Sequence, residues 1–202
     1  MSRRATFSLF HSHLDLAHDL WKKIIQAGDI VIDATCGNGY DTLFLAQHAI
    51  LEGKIGNLIA IDKQAQAIET TKQRLEAAIP QEHLTSIRLL NQCHSSFPAD
   101  LNPASVTLIV YNLGYLPGGD KALTTLRNTT QQSLTHALLL LRPGGMLSVT
   151  CYPGHPEGKE EEETVLRFAS QLASHEWSCC HHRWLNRPAA PSLLIIQKAL
   201  TN

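Results

Sequence analysis

Hydrophobic and polar positions follow two periodicities along the chain. Over residues 12–26 the apolar side chains recur at helical spacing, and Gly28 follows where such a helix would end. The same periodicity predicts helices over residues 41–50, 65–79, 123–141 and 159–174. Short apolar runs between turn residues predict strands over residues 29–35, 57–63, 85–92, 106–113, 146–152, 176–186 and 192–200.

Helices and strands alternate through the first three quarters of the chain, which indicates βαβ units and a mostly parallel sheet. The last two strands have no helix between them, so we expect a C-terminal antiparallel hairpin at a sheet edge. The prediction is a single α/β domain over residues 1–202, with a doubly wound, Rossmann-like sheet of seven strands. Residues 1–28 form its N-terminal helical segment, and residues 29–202 form its core.

Composition limits the classes of function. The chain has 202 residues, of which 44% are hydrophobic, and this is enough for one full core. Its formal net charge is −1, so a nucleic-acid partner would need a local basic patch or a surface built by an oligomer. We expect no membrane span, because no stretch approaches about 18 uninterrupted apolar residues, and no signal segment at the N-terminus.

The cysteines indicate a reduced protein. There are five, an odd number, and none form a C-x-x-C pair. This pattern favours a reduced, cytoplasmic protein over a protein held together by disulfide bonds. The tract from Cys179 to His182 would place alternate side chains on opposite faces of a strand. Such side chains cannot close one tetrahedral site, so we expect no metal.

The sequence DATCGNGYDT joins the first predicted strand to the next helix. Asp33 ends the strand, Gly37 and Gly39 allow a ligand to approach the backbone, and Asp62 closes the second strand. Three interpretations stay open: a tight turn, a dinucleotide or phosphate site, and a site for S-adenosylmethionine. The dinucleotide fingerprint needs a third glycine where Thr42 stands, and an acid would repel a pyrophosphate. The same acid suits a cationic methyl donor.

The order of an acid, a G-x-G loop and a second acid resembles class I methyltransferases, although Thr35 stands where many members have glycine. The resemblance implies that Asp33 holds the amino-acid end of S-adenosylmethionine, that Asp62 holds the ribose, and that Gln92 is placed to accept from the adenine amine. The implied donor contacts are Asp33, Ala34, Thr35, Cys36, Gly37, Asn38, Gly39, Asp41, Thr42, Asp62, Lys63, Gln64, Cys93, His94 and Asn112.

The stretch NLGYLPGGDK follows the fourth predicted strand. It resembles the Asn/Asp-Pro-Pro-Tyr motif of methyltransferases that act on nitrogen, of which Asn112 and Tyr115 keep the two ends. The resemblance implies that Asn112 accepts a hydrogen bond from the target N–H and that Tyr115 walls the substrate. An attacking amine must also be unprotonated, and Asp120 or His155 could take its proton.

A second loop rich in polar and turn residues, CYPGHPEGKEE, follows the fifth strand at the same edge of the sheet. We expect side chains of both loops to meet the substrate, although turns and a solvated helix cap would explain the same residues. The candidate substrate contacts are Leu116, Gly118, Gly119, Lys121, Glu157 and Lys159.

Three motifs, VIDATCGNGYDTLFLA, YNLGYLPGGDK and YPGHPEGKEE, together resemble the bacterial family described as putative ribosomal-RNA methylases, over residues 10–198. Characterised members of that family methylate a transfer-RNA wobble base. The resemblance implies a homodimer that uses S-adenosylmethionine to convert 5-aminomethyl-2-thiouridine in the tRNA anticodon to its 5-methylaminomethyl form. Candidate phosphate contacts are Arg3, Arg4, Lys22, Lys23, Lys121, Arg183 and Arg187.

Other functions stay open from the sequence. Ribosomal RNA or a small-molecule amine is an alternative substrate, because the nearly neutral net charge of the chain does not specifically favour tRNA. A nucleotide-dependent dehydrogenase is opposed by the missing third glycine and the terminal hairpin. A donor-binding module without catalysis would leave Asn112 and Tyr115 unexplained.

Overall fold

The structure, a computed structural model, describes residues 12–51, 56–114 and 127–200. Its strands are β1 (Ile30–Asp33), β2 (Asn57–Asp62), β3 (Ile87–Asn91), β4 (Val106–Leu113), β5 (Leu141–Cys151), β6 (Trp177–His182) and β7 (Ser192–Lys198). Its helices are α1 (His13–Ile24), α2 (Tyr40–Ala46), α3 (Ala65–Ala78), α4 (Gln81–Leu84), α5 (Arg127–Leu140) and α6 (Pro156–Ser170). A π-helical turn, Gln47–Leu51, continues α2.

The seven strands form one sheet in the order β3-β2-β1-β4-β5-β7-β6. Strands β1 to β5 are parallel, and β7 is antiparallel to both β5 and β6. The predicted sheet and its antiparallel C-terminal pair are therefore confirmed. The pair lies at one edge of the sheet, where β6 is the edge strand and β7 joins it to β5.

Both faces of the sheet are covered by helices. Side chains on one face, such as Ile32 and Ile109, pack with Leu134 of α5 and Val165 of α6. Side chains on the other face pack with residues of α1, α2 and α3, among them Trp21. The two-sided burial explains why β4 is apolar along most of its length. Within the described ranges, no helix has the length and apolar character to cross a membrane.

A capping box fixes the start of α1. The backbone N–H of Asp15 donates to Ser12 Oγ over 3.1 Å, and the N–H of Ser12 donates to Asp15 Oδ2 over 3.0 Å. The helix then buries Ala17 and Trp21 against the sheet. This helix is close to the predicted one, and its position against the sheet brings its first turn to the site described below.

Strand β5 and helix α6 begin earlier than predicted. Strand β5 begins at residue 141, not 146, because the chain stays extended through a register shift opposite β4. Gly145 allows this shift, since a Cβ there would lie 3.0 Å from the carbonyl oxygen of Val106. Helix α6 begins at Pro156, not at residue 159, because His155 caps it and proline suits the first helical position.

Candidate active site

A cavity of about 750 Å³ opens at the carboxyl ends of the strands. It lies where the strand order reverses between β1 and β4, which is the place for ligands in a doubly wound sheet. Its walls come from the β1–α2 loop, the ends of β2 and β4, the β5–α6 loop and the first turn of α1. The lining residues are Leu14, Ala34, Thr35, Cys36, Gly37, Asn38, Tyr40, Asp41, Asp62, Lys63, Gln64, His94, Asn112, Gly114, Tyr152, Gly154, His155 and Ala189.

The β1–α2 loop is tied to the strands on both sides. The N–H of Ala34 donates to the carbonyl of Val110 over 2.9 Å, and the N–H of Cys36 donates to the carbonyl of Ile61 over 2.9 Å. These bonds extend the sheet pairing beyond β1. The loop therefore presents a fixed backbone surface to the cavity.

The glycines of this loop permit close packing against α3. Gly39 has a φ of 76°, and a Cβ there would lie 2.8 Å from Thr71 Oγ1. Thr71 Oγ1 donates to the Gly37 carbonyl over 3.1 Å, and Arg74 Nε donates to the Asn38 carbonyl over 2.7 Å. A larger side chain at position 39 would clash with Thr71 and displace the loop from α3.

Asp62 closes β2 and lines the cavity, as predicted for a ribose contact. Its Oδ2 accepts from the N–H of Gly37 over 3.0 Å, and its Oδ1 accepts from the N–H of Gln64 over 2.9 Å. These bonds fix the carboxylate between the two loops. Each oxygen keeps a lone pair, so the group can still accept from two vicinal hydroxyls.

Asp33 does not reach the cavity wall. Its side chain is fully buried, and it accepts from Thr42 Oγ1 over 2.6 Å and from the N–H of Thr35 over 3.2 Å. Burial raises its pKa to about 7, and the nearby carboxylates add to this rise. The predicted ionic contact between Asp33 and a donor is therefore corrected: Asp33 supports the loop from behind, and the carboxylates that line the cavity are Asp41 and Asp62.

The wall next to Asp62 suits an aromatic base. His94 is 5% exposed, lines the cavity, and its Nε2 has no hydrogen-bond partner among the described residues. Burial, with a smaller contribution from Lys63, lowers its pKa to about 4, so the imidazole is neutral. An unpaired ring nitrogen in a cavity that Lys63 and Gln64 also line fits a ligand with hydrogen-bonding edges.

Gln92 and Cys93, the other predicted contacts after β3, do not line the cavity. The amide of Gln92 donates to the carbonyl of Ser96 over 2.8 Å. Cys93 accepts from Ser95 Oγ over 3.2 Å and does not line the cavity. Both groups stabilise the turn after β3 instead of facing the cavity.

Asn112 lies near the end of β4 and lines the cavity. Its Nδ2 donates to Asp41 Oδ2 over 2.8 Å, and its backbone N–H donates to Thr35 Oγ1 over 2.7 Å. The hydroxyl of Tyr152 is 3.4 Å from Oδ1, to which it donates. Burial raises the pKa of Tyr152 to about 12, so this phenol stays protonated.

The first turns of α1 complete the cavity, which the sequence did not predict. Leu14 lines it directly, and His18 Nε2 lies 2.8 Å from Asp41 Oδ1. His13 packs edge-on against Tyr152, with ring centroids 5.9 Å apart. Helical periodicity revealed α1, but no signal in the sequence showed which face would meet β4 and β5.

His155 lines the cavity but caps a helix. Its Nδ1 accepts from the N–H of Gly158 over 3.1 Å and lies 3.2 Å from Glu157 Oε2. A proton on Nδ1 would remove the acceptor that holds the first turn of α6, so the geometry opposes the predicted role as proton acceptor. Glu157 and Lys159 are exposed and do not line the cavity.

Twelve of the predicted site residues line the cavity, and they are Ala34, Thr35, Cys36, Gly37, Asn38, Asp41, Asp62, Lys63, Gln64, His94, Asn112 and His155. Six described ones do not, and they are Asp33, Gly39, Thr42, Cys93, Glu157 and Lys159. Tyr115, Leu116, Gly118, Gly119, Asp120 and Lys121, with Arg3 and Arg4, lie outside the described residues.

In the part of the chain that the structure describes, no three His, Cys, Asp or Glu side chains are grouped to hold a metal ion. In the tract from Cys179 to His182, Cys180 Sγ lies 3.4 Å from His182 Nε2, while His181 turns to Glu162 at 3.7 Å. The two histidines thus have different neighbours, consistent with alternation along a strand.

Comparison with known proteins identifies the family. Residues 58–198 match the family model described as "Putative rRNA methylase". The chain belongs to this family. A curated member, the "tRNA (mnm(5)s(2)U34)-methyltransferase, chloroplastic" of Arabidopsis thaliana, is 43% identical over 188 residues, which cover 91% of this chain and 68% of that protein.

Solved structures agree with the family. A putative rRNA methylase from Clostridium thermocellum has a TM-score of 0.86 and 33% identity, covering 94% of this chain and 98% of the other. A "putative methyltransferase" from Streptococcus mutans, solved in complex with SAH, has a TM-score of 0.80 and 27% identity, covering 94% and 99%. This protein is therefore a methyltransferase with the class I fold.

Proposed function

We propose that this protein transfers a methyl group from S-adenosylmethionine to the exocyclic amine of 5-aminomethyl-2-thiouridine at the tRNA wobble position, giving the 5-methylaminomethyl form. The observation behind this proposal is that Asn112 lines the cavity and that Asp41 accepts from its Nδ2, which leaves the carboxamide oxygen as the group that can accept from a ligand. The name of the Arabidopsis relative, with its mnm(5)s(2)U34 specificity, supports the substrate. The complex of the Streptococcus relative with SAH supports the donor.

The residues along one side of the cavity fit the donor. Asp62 is fixed with lone pairs available for ribose hydroxyls, and His94, which lines the same cavity as Gln64, offers an unpaired nitrogen for the adenine. The backbone from Ala34 to Asn38 would hold the amino-acid end. When bound, S-adenosylmethionine supplies an electrophilic methyl group on a sulfonium.

Asn112 is suited to orient an amine. The carboxylate of Asp41 only accepts hydrogen bonds, so it takes the amide NH₂ and leaves Oδ1 for the cavity. Oδ1 has two lone pairs, so it can accept from Tyr152 and from a substrate N–H together. An N–H held in this way directs the nitrogen lone pair along one line, and positioning of this kind lowers the barrier of an in-line displacement.

The amine must lose a proton before it attacks. Since His155 is engaged as a helix cap, we assign it to the wall of the cavity. Asp41 lines the cavity and accepts a hydrogen bond from Asn112, so its carboxylate lies close to the expected position of the amine. Our proposal keeps Tyr115 as a wall for the substrate and Asp120 as a candidate proton acceptor, both from the family motif.

We propose the tRNA anticodon stem-loop as the macromolecular partner. Lys22, Lys23, Arg183 and Arg187 are exposed in the structure and are the described candidates for phosphate contacts. Arg187 also packs over the ring of Trp184, with 4.5 Å from its guanidinium carbon to the ring centroid. With a formal net charge of −1, one chain has little attraction for RNA.

A homodimer in the cytoplasm completes the proposal. Two chains would combine their basic side chains into one larger surface, and light scattering of the purified protein with and without the stem-loop tests this. All five cysteines are free, as suits a reducing compartment. The Arabidopsis relative is named as chloroplastic, so fractionation of the source cells, with detection of the protein in each fraction, is the direct test of compartment.

Ribosomal RNA is the alternative substrate, favoured by the family description. A panel of acceptors tests the choice: tRNA with the aminomethyl nucleoside, the same tRNA without it, ribosomal RNA, and a free aminomethyl nucleoside. We expect labelled methyl groups to enter only acceptors that have the primary amine. The rate of labelling should be higher with the tRNA than with the free nucleoside. Label in ribosomal RNA alone would reject the proposal. Calorimetry with S-adenosylhomocysteine and NAD checks the donor, and binding to NAD alone would reject it.

A further inference from the structure

Both ends of the Asn112 carboxamide are held by residues that α1 in turn contacts. Asp41 accepts from Nδ2, and its other oxygen is 2.8 Å from His18 Nε2. Tyr152 donates to Oδ1, and its ring meets the ring of His13 at an interplanar angle of 88°. Two histidines of one helix thus stand behind the two partners of Asn112.

The His18 ring is held firmly in place. It stacks on Phe44 with centroids 3.7 Å apart and an interplanar angle of 17°, and it packs against Trp21 at 4.9 Å. Its side chain is 23% exposed, and that of Asp41 is 12% exposed. The hydrogen bond between them is therefore sheltered from solvent, and the imidazole that makes it is packed against two aromatic rings.

The bond from His18 determines the orientation of Asp41. A carboxylate held at Oδ1 can offer only Oδ2 to Asn112, whereas a carboxylate without this bond can rotate about its last torsion. Rotation would move the acceptor away from Nδ2 and allow the carboxamide to flip. A flipped carboxamide would present NH₂, which cannot accept from an amine, to the cavity.

We propose that His18 is a positioning residue for methyl transfer, and that α1 belongs to the catalytic machinery through the chain from His18 to Asp41 to Asn112. The inference rests on the proposed function, because it assumes that Asn112 orients the amine. Helix α1 precedes residues 58–198, which match the family model, so the match itself assigns it no role.

Two substitutions separate the hydrogen bond from the packing. His18→Phe keeps the stack on Phe44 and removes Nε2, so we expect kcat to fall about ten- to a hundredfold, with the Kd for S-adenosylhomocysteine changed less than about threefold. His18→Gln loses the ring but places an N–H near Asp41, so its kcat should recover to within about threefold of wild type. Asp19→Asn, on an exposed position of the same helix, should be unchanged.

A double-mutant cycle tests whether His18 acts through Asp41. In the Asp41→Asn background, His18→Phe should lower kcat by less than about twofold, because the bond is already broken. If the two substitutions lower kcat independently, so that their effects multiply, the proposal is overturned. A wild-type kcat in His18→Phe, or equal losses of kcat in His18→Phe and His18→Gln, would also overturn it. A loss of donor affinity equal to the loss of kcat would also overturn it, since that would indicate general damage.

A substrate-free measurement keeps this test separate from the proposed function. The side-chain amide resonances of Asn112, assigned by their absence in Asn112→Ser, report its bond to Asp41. We expect them to shift in His18→Phe and to stay close to their wild-type positions in His18→Gln and Asp19→Asn. Unchanged resonances in His18→Phe would overturn the positioning role even if the wild-type enzyme methylates the proposed substrate. Failure of methylation with shifted resonances would reject only the proposed function.

Discussion

Nδ2 of Asn112 donates to Oδ2 of Asp41 over 2.8 Å, across the gap between the end of β4 and the start of α2. This bond selects which end of the carboxamide faces the cavity. It joins two motifs that are 71 positions apart in the chain. The orientation of the acceptor oxygen is therefore a property of the folded domain and not of the loop that contains Asn112.

Removing the carboxamide should affect rate and not donor binding. In Asn112→Ala the target N–H loses its acceptor, so we expect kcat to fall by about two orders of magnitude, with the Kd for S-adenosylhomocysteine within about threefold of wild type. Steady-state kinetics on aminomethyl tRNA and calorimetry measure the two quantities. Tyr152→Phe is the matched control and should lose less than about fivefold, since its bond to Oδ1 is long at 3.4 Å. Equal losses of affinity and rate would show that Asn112 serves the donor.

Thr35 should be needed for its hydroxyl. Its Oγ1 accepts from the backbone N–H of Asn112 over 2.7 Å, so Thr35→Val leaves this N–H without a partner. We expect a loss of about 1–3 kcal/mol in the free energy of unfolding, measured by urea denaturation, together with a lower kcat. Thr35→Ser keeps the acceptor and should restore both. A valine variant as stable as wild type would indicate that the N–H finds another acceptor.

Asp33 should make stability depend on pH. Its pKa is about 7 in the folded protein against 3.8 for the unperturbed group, because burial disfavours the charged form. Between these values the folded state binds more protons than the unfolded state, so this contribution to stability is present at low pH and is lost as pH rises from about 4 to about 7. The full effect is roughly 4 kcal/mol at most. Denaturation at pH 5, 6, 7 and 8 should show this fall in the wild type.

Asp33→Asn provides the comparison for that pH series. The asparagine cannot ionise, and its NH₂ can donate to Thr42 Oγ1, which donates to Asp33 in the wild type, while its oxygen accepts from the N–H of Thr35. Its stability should therefore exceed that of the wild type at pH 8, and the difference should shrink toward pH 5. A constant difference across the series would show that Asp33 does not titrate in this range.

The two strand-end acids should differ in donor affinity. The Asp62 carboxylate accepts from the backbone N–H groups of Gly37 and Gln64. In Asp62→Asn an NH₂ group faces one of these donors, so the loop that contains that donor must shift. We expect the Kd for S-adenosylhomocysteine to rise at least about tenfold in this variant. Asp33→Asn, which does not alter the cavity wall, should stay within about threefold. If both variants lose affinity equally, Asp33 contacts the donor after all.

The sheet was predictable because its signals are local. Strand β4 has the predicted bounds, since most of its residues are apolar and it is buried on both faces. The glycine loop and the acid at the end of β2 were also predictable, because the carboxyl ends of parallel strands meet at one edge.

The wrong assignments concern side-chain direction. Asp33 and Asp41 are eight positions apart and both are acids beside the glycine loop, so the sequence could not tell which one faces the cavity. Asp33 points into the domain, toward Thr42, whereas Asp41 lies on the open side of α2. The contributions of His18 and Tyr152 depend on how α1 and the β5–α6 loop pack on the sheet, and no local pattern encodes that packing.

The most direct test of the central claim is the mass of the wobble nucleoside after reaction. Transfer RNA that contains 5-aminomethyl-2-thiouridine is incubated with the protein and S-adenosylmethionine, digested to nucleosides and analysed by mass spectrometry. We predict that the wobble nucleoside gains one methyl group on its exocyclic amine and that Asn112→Ala leaves it largely unconverted. An unchanged wobble nucleoside in the presence of active, donor-bound wild-type protein would contradict the account.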